Sequence, residues 1–142
     1  MNVVPMANDD EVYVTSDIAK QLREKGFDKN CRSRFYQQPS GNIEVYNTLV
    51  GENFNRSELR NTWSRPTHQM VMKWLREKYN IHIAVNLGAD ADNPNHVFYN
   101  PQIAIFEPHK HVTYLGEFGE DEFDANEQAC EAAIVYCLTH LI

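Results

Sequence analysis

The spacing of apolar residues along the chain predicts three helices. The first lies in the stretch VTSDIAKQLREKGF, where Ile18 and Leu22 share one helical face. Thr15 or Ser16 can accept a hydrogen bond from the first turn, and Gly26 can adopt the left-handed conformation that ends many helices.

The second helix is predicted to end at about Tyr79, where Asn80 offers a left-handed exit. Two starts are open for this helix. Either Thr67 is the cap, or Ser64 is the cap and Pro66 lies in the first turn.

The third helix is predicted near the end of the chain, behind a capping box formed by Asp124 and Glu127. Its apolar residues form one stripe, which needs a sheet to cover it. The stripe consists of Cys130, Ala133, Ile134, Cys137, Leu138 and Leu141.

Alternating apolar and polar residues predict five strands. The stretches SRFYQQ and IEVYNT flank the turn residues PSGN and are typical of a hairpin. Three more strands are predicted in IHIAVNL, HVFYNPQIAIFE and HVTYLGEF, and the turns between them favour an antiparallel meander. Pro101 predicts a bulge or an edge position. The inward face of IHIAVNL is predicted to consist of Ile81, Ile83, Val85 and Leu87.

These elements predict a single α+β domain over residues 1–142, in the order α-β-β-α-β-β-β-α. The helices are expected to pack on one face of an antiparallel sheet. Residues 1–12 are expected to be a flexible lead, and residues 47–63 a long loop with a helical turn near Ser57 to Arg60. The stretch from Trp63 to Ile83 is expected to be scaffold.

The chain has neither the pattern of a signal peptide nor an apolar run as long as a membrane span, so we expect a cytoplasmic protein. Its three cysteines are expected to be reduced and buried, since an odd number does not suit a disulfide framework. These residues are Cys31, Cys130 and Cys137.

The net charge of −7 is distributed unevenly along the chain. Residues 1–79 hold 12 Lys and Arg against 10 Asp and Glu, whereas residues 80–142 hold 1 against 10. An acidic surface repels phosphate backbones and attracts basic partners, although a merely solvating surface has the same composition. The partner-binding hypothesis places the contact with a basic protein surface on an acidic cluster. This cluster comprises Glu120, Asp121, Glu122, Asp124 and Glu127.

A nucleic-acid interface is the first alternative. A basic stripe in the first half of the chain combines cations with aromatic side chains, a composition typical of phosphate tracks with base stacking. Asp17, Glu24 and Asp28 lie in the same stretch and oppose this interpretation. The basic stripe consists of Arg23, Lys25, Lys29, Arg32, Arg34, Phe35 and Tyr36.

Candidates for catalysis are few. His109 and His111 lie on the same side of an extended segment, and they carry the second alternative, a metal-dependent enzyme. Cys31 has basic neighbours that can lower the pKa of its thiol, but no base accompanies it in the sequence. No acid–base pair, phosphate-binding loop or zinc motif can be assembled, so we expect neither catalysis nor a cofactor.

Three stretches carry a resemblance to other proteins. VTSDIAKQLREKGFDKNC, RPTHQMVMKWLREKYNIHI and the acidic helix EQACEAAIVYCL resemble a pattern in small uncharacterised proteins of gut bacteria and of their phages and mobile elements. This resemblance implies no activity and no site residues. The lack of a catalytic constellation and the uneven charge favour a non-enzymatic accessory protein that acts by binding another protein, and the resemblance adds a phage or mobile-element origin.

Residues 67–142 also resemble a double-stranded-RNA-binding domain, through their α-β-β-β-α order and through NPNH, which is similar to that family's Pro-x-His turn. The phosphate-binding helix of the family begins with lysines. This chain instead has Asp124, Glu127 and Glu131 at that place, so the resemblance implies shared topology without RNA affinity.

Overall fold

The computed structural model describes residues 11–107, 113–115 and 122–142. The chain has an α+β fold, as predicted, and it divides into two compact units, Met1–Met70 and Val71–Ile142. Its elements are α1 (Ser16–Glu24), β1 (Cys31–Gln37), β2 (Ile43–Glu52), β3 (Thr62–Ser64), α2 (His68–Tyr79), β4 (Ile81–Ala89), β5 (Val97–Ile105), β6 (Thr113–Leu115) and α3 (Asn126–Tyr136), followed by a π-helical turn at Cys137–Leu141.

The first unit contains a three-stranded sheet in the order β2-β1-β3. β1 and β2 form the predicted antiparallel hairpin, in which Phe35 lies opposite Val45 and Gly41 turns with φ 94°. β3 pairs with the other side of β1, where Phe35 lies opposite Trp63. α1 lies against β3, and its buried residues are Ile18, Ala19 and Leu22.

The helix ends follow the predicted signals. The Thr15 hydroxyl accepts a hydrogen bond from the Ile18 amide at 3.4 Å, and Gly26 has φ 87°. Of the two starts open for α2, the structure has the one at Thr67, whose hydroxyl accepts from the first turn. Asn80 has φ 56°, as expected for a left-handed exit.

The loop predicted over residues 47–63 is too long at both ends. β2 continues to Glu52, and β3 begins at Thr62. Between these strands the Leu59 amide donates to the Arg56 carbonyl in a turn, and this described stretch contains no helix. β3 was missed because three residues are too few for alternation to be recognised.

The second unit contains its own antiparallel sheet in the order β4-β5-β6, so the prediction of one sheet is wrong. Ile83 lies opposite Ile103 across β4 and β5, and Ala104 lies opposite Tyr114 across β5 and β6. α3 packs on β4 and β5. The predicted stripe is confirmed except at the half-buried Leu141, and its buried residues are Cys130, Ala133, Ile134, Cys137 and Leu138.

Two predictions about the strands of the second unit are wrong. Pro101 lies on the central strand, opposite Val85 in a regular register, rather than at a bulge or an edge. It is tolerated there because its nitrogen lies on the same side of β5 as the Tyr99 amide two residues earlier, which donates to Phe123, so the ladder with β4 needs no donor from Pro101. Leu87 is 66% exposed rather than inward. The 11 residues of α3 span about 16 Å and the nine residues of β4 about 30 Å, so the helix cannot cover the whole strand.

The capping box predicted for α3 is also wrong. The N-cap is Ala125, which forms no side-chain cap hydrogen bond, and the helix begins at Asn126. Asp124 therefore lies one residue too early to cap this helix. None of the described helices is both long enough and apolar enough to cross a membrane.

Candidate protein-binding strand

β2 is the most exposed strand of the first unit. It lies at the edge of its sheet, and among the described residues it pairs only with β1. None of its ten residues is buried. Its exposed large apolar residues lie on both faces of the strand, since residues of odd and even number are among them. They are Ile43, Val45, Tyr46, Leu49 and Val50.

The far end of β2 forms a bulge. From Asn47 to Glu52, β2 advances five residues while β1 advances only two, from Ser33 to Cys31. The four intervening residues of β2, 48–51, lie opposite the single residue Arg32 of β1 and are called the β2 bulge. A bulge interrupts the ladder and redirects side chains, and this one carries the two most exposed large apolar residues of the part of the chain that the structure describes. These are Leu49, with 67% exposure, and Val50, with 77%.

The side chain of Tyr46 is held in place on one face of β2. The Arg34 guanidinium lies 5.4 Å from the centre of its ring, and the Tyr36 ring lies edge-on at 6.2 Å. The Tyr46 hydroxyl donates to the Glu44 carboxylate, and this hydrogen bond raises the pKa of Tyr46 above its ordinary value. Tyr46 is therefore a neutral, ordered aromatic contact.

The edge of β2 has few of the features that protect natural edge strands from pairing. Such strands often carry Lys or Pro, and β2 contains neither. Its charged residues are Glu44 and Glu52, and Glu52 forms an exposed ion pair with Arg56 at 3.3 Å. Apart from its bulge, β2 can therefore accept an extended segment along its outer edge.

The acidic cluster lies in the second unit. Glu122, Asp124 and Glu127 are exposed at and before the start of α3. Glu120 and Asp121 lie outside the described residues. The three described members are therefore available to a partner.

The basic stripe is not a continuous surface, because several of its members are used inside the first unit. The Arg23 guanidinium donates to three backbone carbonyls, those of Thr62, Leu59 at 2.7 Å and Arg56 at 3.1 Å. Phe35 is buried. Arg23 and Phe35 therefore stabilise the fold and are not free to contact phosphate or a base.

Arg34 is also partly internal. Its guanidinium lies between two rings, 5.4 Å from the centre of Tyr46 and 5.6 Å from that of Phe54. Lys29 and Arg32 are exposed. The two remaining members, Lys25 and Tyr36, are half-buried. Nucleic-acid binding through this stripe stays a prediction, with fewer available residues than expected.

The thiol of Cys31 is not a reactive thiolate, contrary to the suggestion of its basic neighbours. Cys31 is buried, and burial raises the pKa of its thiol to about 12. His109 and His111 lie outside the described residues. Within the described ranges, no group of three His, Cys, Asp or Glu residues is placed to hold a metal ion.

The sequence interpretation missed Leu49 and Val50 because it assigned them to a loop. The available signal was the apolar run TLV directly behind the predicted strand IEVYNT. Apolar residues are usually explained by burial in the core, but these lie in an exposed bulge. They are therefore candidates for contact with another protein.

Comparison with known proteins gives no match to a protein-family model, a curated protein or a solved structure.

Proposed function

We propose that this protein is a non-enzymatic accessory protein that binds another protein, with β2 as the contact strand. The observation that carries the proposal is the group of five exposed large apolar residues on one edge strand. Contiguous exposed apolar residues mark interaction surfaces, and an open strand edge offers backbone donors and acceptors to an extended segment.

The partner that fits this surface presents an extended segment with apolar and basic residues. Its apolar side chains cover Val45, Leu49 and Val50. Its basic residues suit β2 itself, which carries Glu44 and Glu52 but no Lys or Arg. The acidic cluster of the second unit is a separate candidate contact for a basic segment.

The apolar residues are expected to supply most of the affinity. Full burial of a Leu or Val side chain contributes about 1.5–3 kcal/mol, whereas an exposed ion pair contributes about 0–1 kcal/mol. Leu49→Asp therefore removes one large contribution and places a charge in the interface. The fold should tolerate this substitution, because Leu49 is two-thirds exposed.

The test is affinity capture from a lysate of the producing cells, with nuclease added, using the wild type and two matched variants. Leu87 is the matched control for Leu49, since it also lies on an edge strand and is 66% exposed against 67%. We expect Leu49→Asp to lose the captured protein and Leu87→Asp to keep it. Equal capture by both variants contradicts the proposal.

Two further measurements distinguish the proposed basic partner from other molecules that could bind to β2. Light scattering on the purified protein reports self-association. A dimer that Leu49→Asp dissolves would mean that a second copy, not a basic partner, covers β2. Loss of the captured material on nuclease treatment would favour the nucleic-acid alternative.

The contribution of the acidic cluster is tested by reversing its charge. We expect the triple variant Glu122→Lys, Asp124→Lys and Glu127→Lys to weaken capture about tenfold, with a steeper loss at low salt than at high salt. Unchanged capture would remove the acidic cluster from the interface and leave β2 alone to support the partner's basic character.

A further inference from the structure

A second feature of the first unit is a polar cavity where three extended segments meet. Tyr13 forms an antiparallel bridge with Thr67, and the Val14 amide donates to the Pro66 carbonyl at 3.0 Å. On the other side, the Arg65 amide donates to the Ser33 carbonyl at 2.9 Å. These backbone bonds fix the segment that contains Arg65 between the other two.

The cavity has a volume of about 300 Å³, and we call it the arginine cavity. Its lining includes two guanidinium groups, two hydroxyl groups and a side-chain amide, all of which can donate hydrogen bonds. Arg32 and Ser33, which are neighbours on β1, both line the cavity. The donors belong to Asn30, Arg32, Ser33, Arg65 and Thr67.

Arg65 is the more buried of the two cations of the arginine cavity. Its guanidinium stacks on the Tyr13 ring at 4.0 Å, and its Nη1 donates to the Ser33 hydroxyl at 3.2 Å. Its Nε is buried and finds no acceptor among the described residues. Burial lowers the pKa of Arg65 from its ordinary value, because the charged form loses water. A bound anion would restore part of that lost stabilisation.

Both arginines line the arginine cavity together with Tyr13. The charges of Arg65 and Arg32 oppose the rise in the pKa of Tyr13, which burial and the Glu11 carboxylate produce. The Tyr13 hydroxyl donates to Glu11 at 3.3 Å. The lining therefore carries two positive charges and one negative charge, in a protein that is acidic as a whole.

We propose that the arginine cavity binds the phosphate group of a small molecule. Five donor side chains from two separate segments, 30–33 and 65–67, converge on it, which suits the three terminal oxygens of a phosphate monoester better than the two of a carboxylate. Thr67 also places the N-terminal end of the 12-residue helix α2 at the cavity, where the helix dipole favours an anion. This site is independent of β2 and of the proposed partner.

The first test is calorimetric titration of the whole protein with phosphoserine, inorganic phosphate and serine. We expect saturable binding of at least one phosphate compound and none of serine. Tighter binding of phosphoserine assigns the site to a phosphate monoester, and equal binding assigns it to free phosphate. No saturation by either compound up to about 10 mM overturns the proposal.

The second test compares two exposed arginines of the first unit. Arg32 lines the arginine cavity, whereas Arg60 does not. We expect Arg32→Gln to weaken phosphate binding about tenfold without changing the melting temperature, because a charge-assisted hydrogen bond is lost. Arg60→Gln should bind like the wild type. Wild-type affinity in Arg32→Gln contradicts the assignment.

The pH dependence gives a third readout. The second pKa of a phosphate monoester is about 6, so the ligand carries two charges at pH 7.5 and one at pH 5. We expect binding to be weaker at pH 5. Equal affinity at the two pH values would contradict recognition of phosphate by the two guanidinium groups.

Discussion

The two edge strands β2 and β4 have similar lengths but different surroundings. Both are long, both alternate, and each exposes about two-thirds of a leucine, Leu49 or Leu87. α3 packs on β4, where Ile81 is buried, whereas no residue of β2 is buried. Alternation therefore predicts a strand, but the presence of a covering helix decides whether one face of it enters a core.

The two units also differ in what stabilises them. In the second unit, the apolar stripe of α3 covers β4 and β5. The first has an apolar core as well, with Leu22, Phe27 and Phe54 buried, but polar side chains also hold its irregular backbone in place. The side-chain Nδ2 of Asn55 donates to the backbone carbonyl of Phe27 at 2.9 Å. The side-chain Oδ1 of Asn55 accepts from the backbone amide of Ser64 at 3.0 Å. The Ser64 hydroxyl accepts from the Phe54 amide at 3.1 Å.

The largest expected effect contrasts the core of the second unit with the surface of β2. Ile103 is fully buried on β5. We expect Ile103→Ala to lower the free energy of unfolding by about 2–5 kcal/mol, because it leaves a cavity. Leu49→Ala should change it by less than about 0.5 kcal/mol. Urea unfolding measures both, and a large loss in Leu49→Ala would show that β2 is covered in the free protein.

A second prediction concerns the polar stabilisation of the first unit. Arg23→Gln removes hydrogen bonds to the carbonyls of Arg56, Leu59 and Thr62. We expect a loss of about 2–3 kcal/mol in the free energy of unfolding, because these bonds have a charged donor. Arg60→Gln is the exposed control and should lose less than about 0.5 kcal/mol. Equal stability of the two variants would contradict the structural role of Arg23.

A third prediction uses one buried thiol from each unit. Burial raises the pKa of Cys31 and of Cys137 to about 12. Because the folded-state pKa is raised, the stabilisation is fully present below pH 8.5 and is lost as the pH rises toward 12. We expect a loss of about 2 kcal/mol per thiol at pH 10.

Urea unfolding at pH 8 and pH 10 tests this pH dependence. The matched variants are Cys31→Ala and Cys137→Ala, and each should reduce the difference in stability between the two pH values. A difference as large as that of the wild type would mean that the thiol does not titrate with a raised pKa.

The smallest effects come from the helix caps, and they have opposite signs in the two units. Thr15→Ala removes the cap of α1 and should cost about 1 kcal/mol. Ala125→Asp supplies the missing cap of α3, where the backbone is already extended at φ −135° and ψ 146°. We expect a gain of about 0.5–1 kcal/mol. Thermal unfolding measures both, and destabilisation by Ala125→Asp would contradict the assigned helix start.

Much of the local structure follows from the sequence because its signals are short-range. The Thr15 cap, the left-handed Gly26 and Asn80 and the hairpin turn at Gly41 are properties of a few neighbouring residues. The apolar stripe of α3 was equally predictable from the sequence, because the helical spacing of its apolar residues persists over several turns.

The errors of the sequence-based prediction concern contacts between residues that are far apart in the sequence. The sequence does not reveal that the strands form two sheets, and the three residues of β3 depend on pairing with β1. The candidate site was missed for a related reason. Leu49 and Val50 are candidate contact residues because they are exposed in a bulge. The bulge depends on the register between β2 and β1. Arg23 was assigned to an exposed basic stripe because the carbonyl groups it binds lie more than 30 residues away along the sequence.

The most direct test of β2 as the contact strand is hydrogen exchange measured on the free protein and on its complex with the captured partner. We predict slower exchange for amides of β2, in Ile43–Glu52, on binding and unchanged exchange for β4, in Ile81–Ala89. Protection of β4 or of α3, with β2 unchanged, would contradict the account.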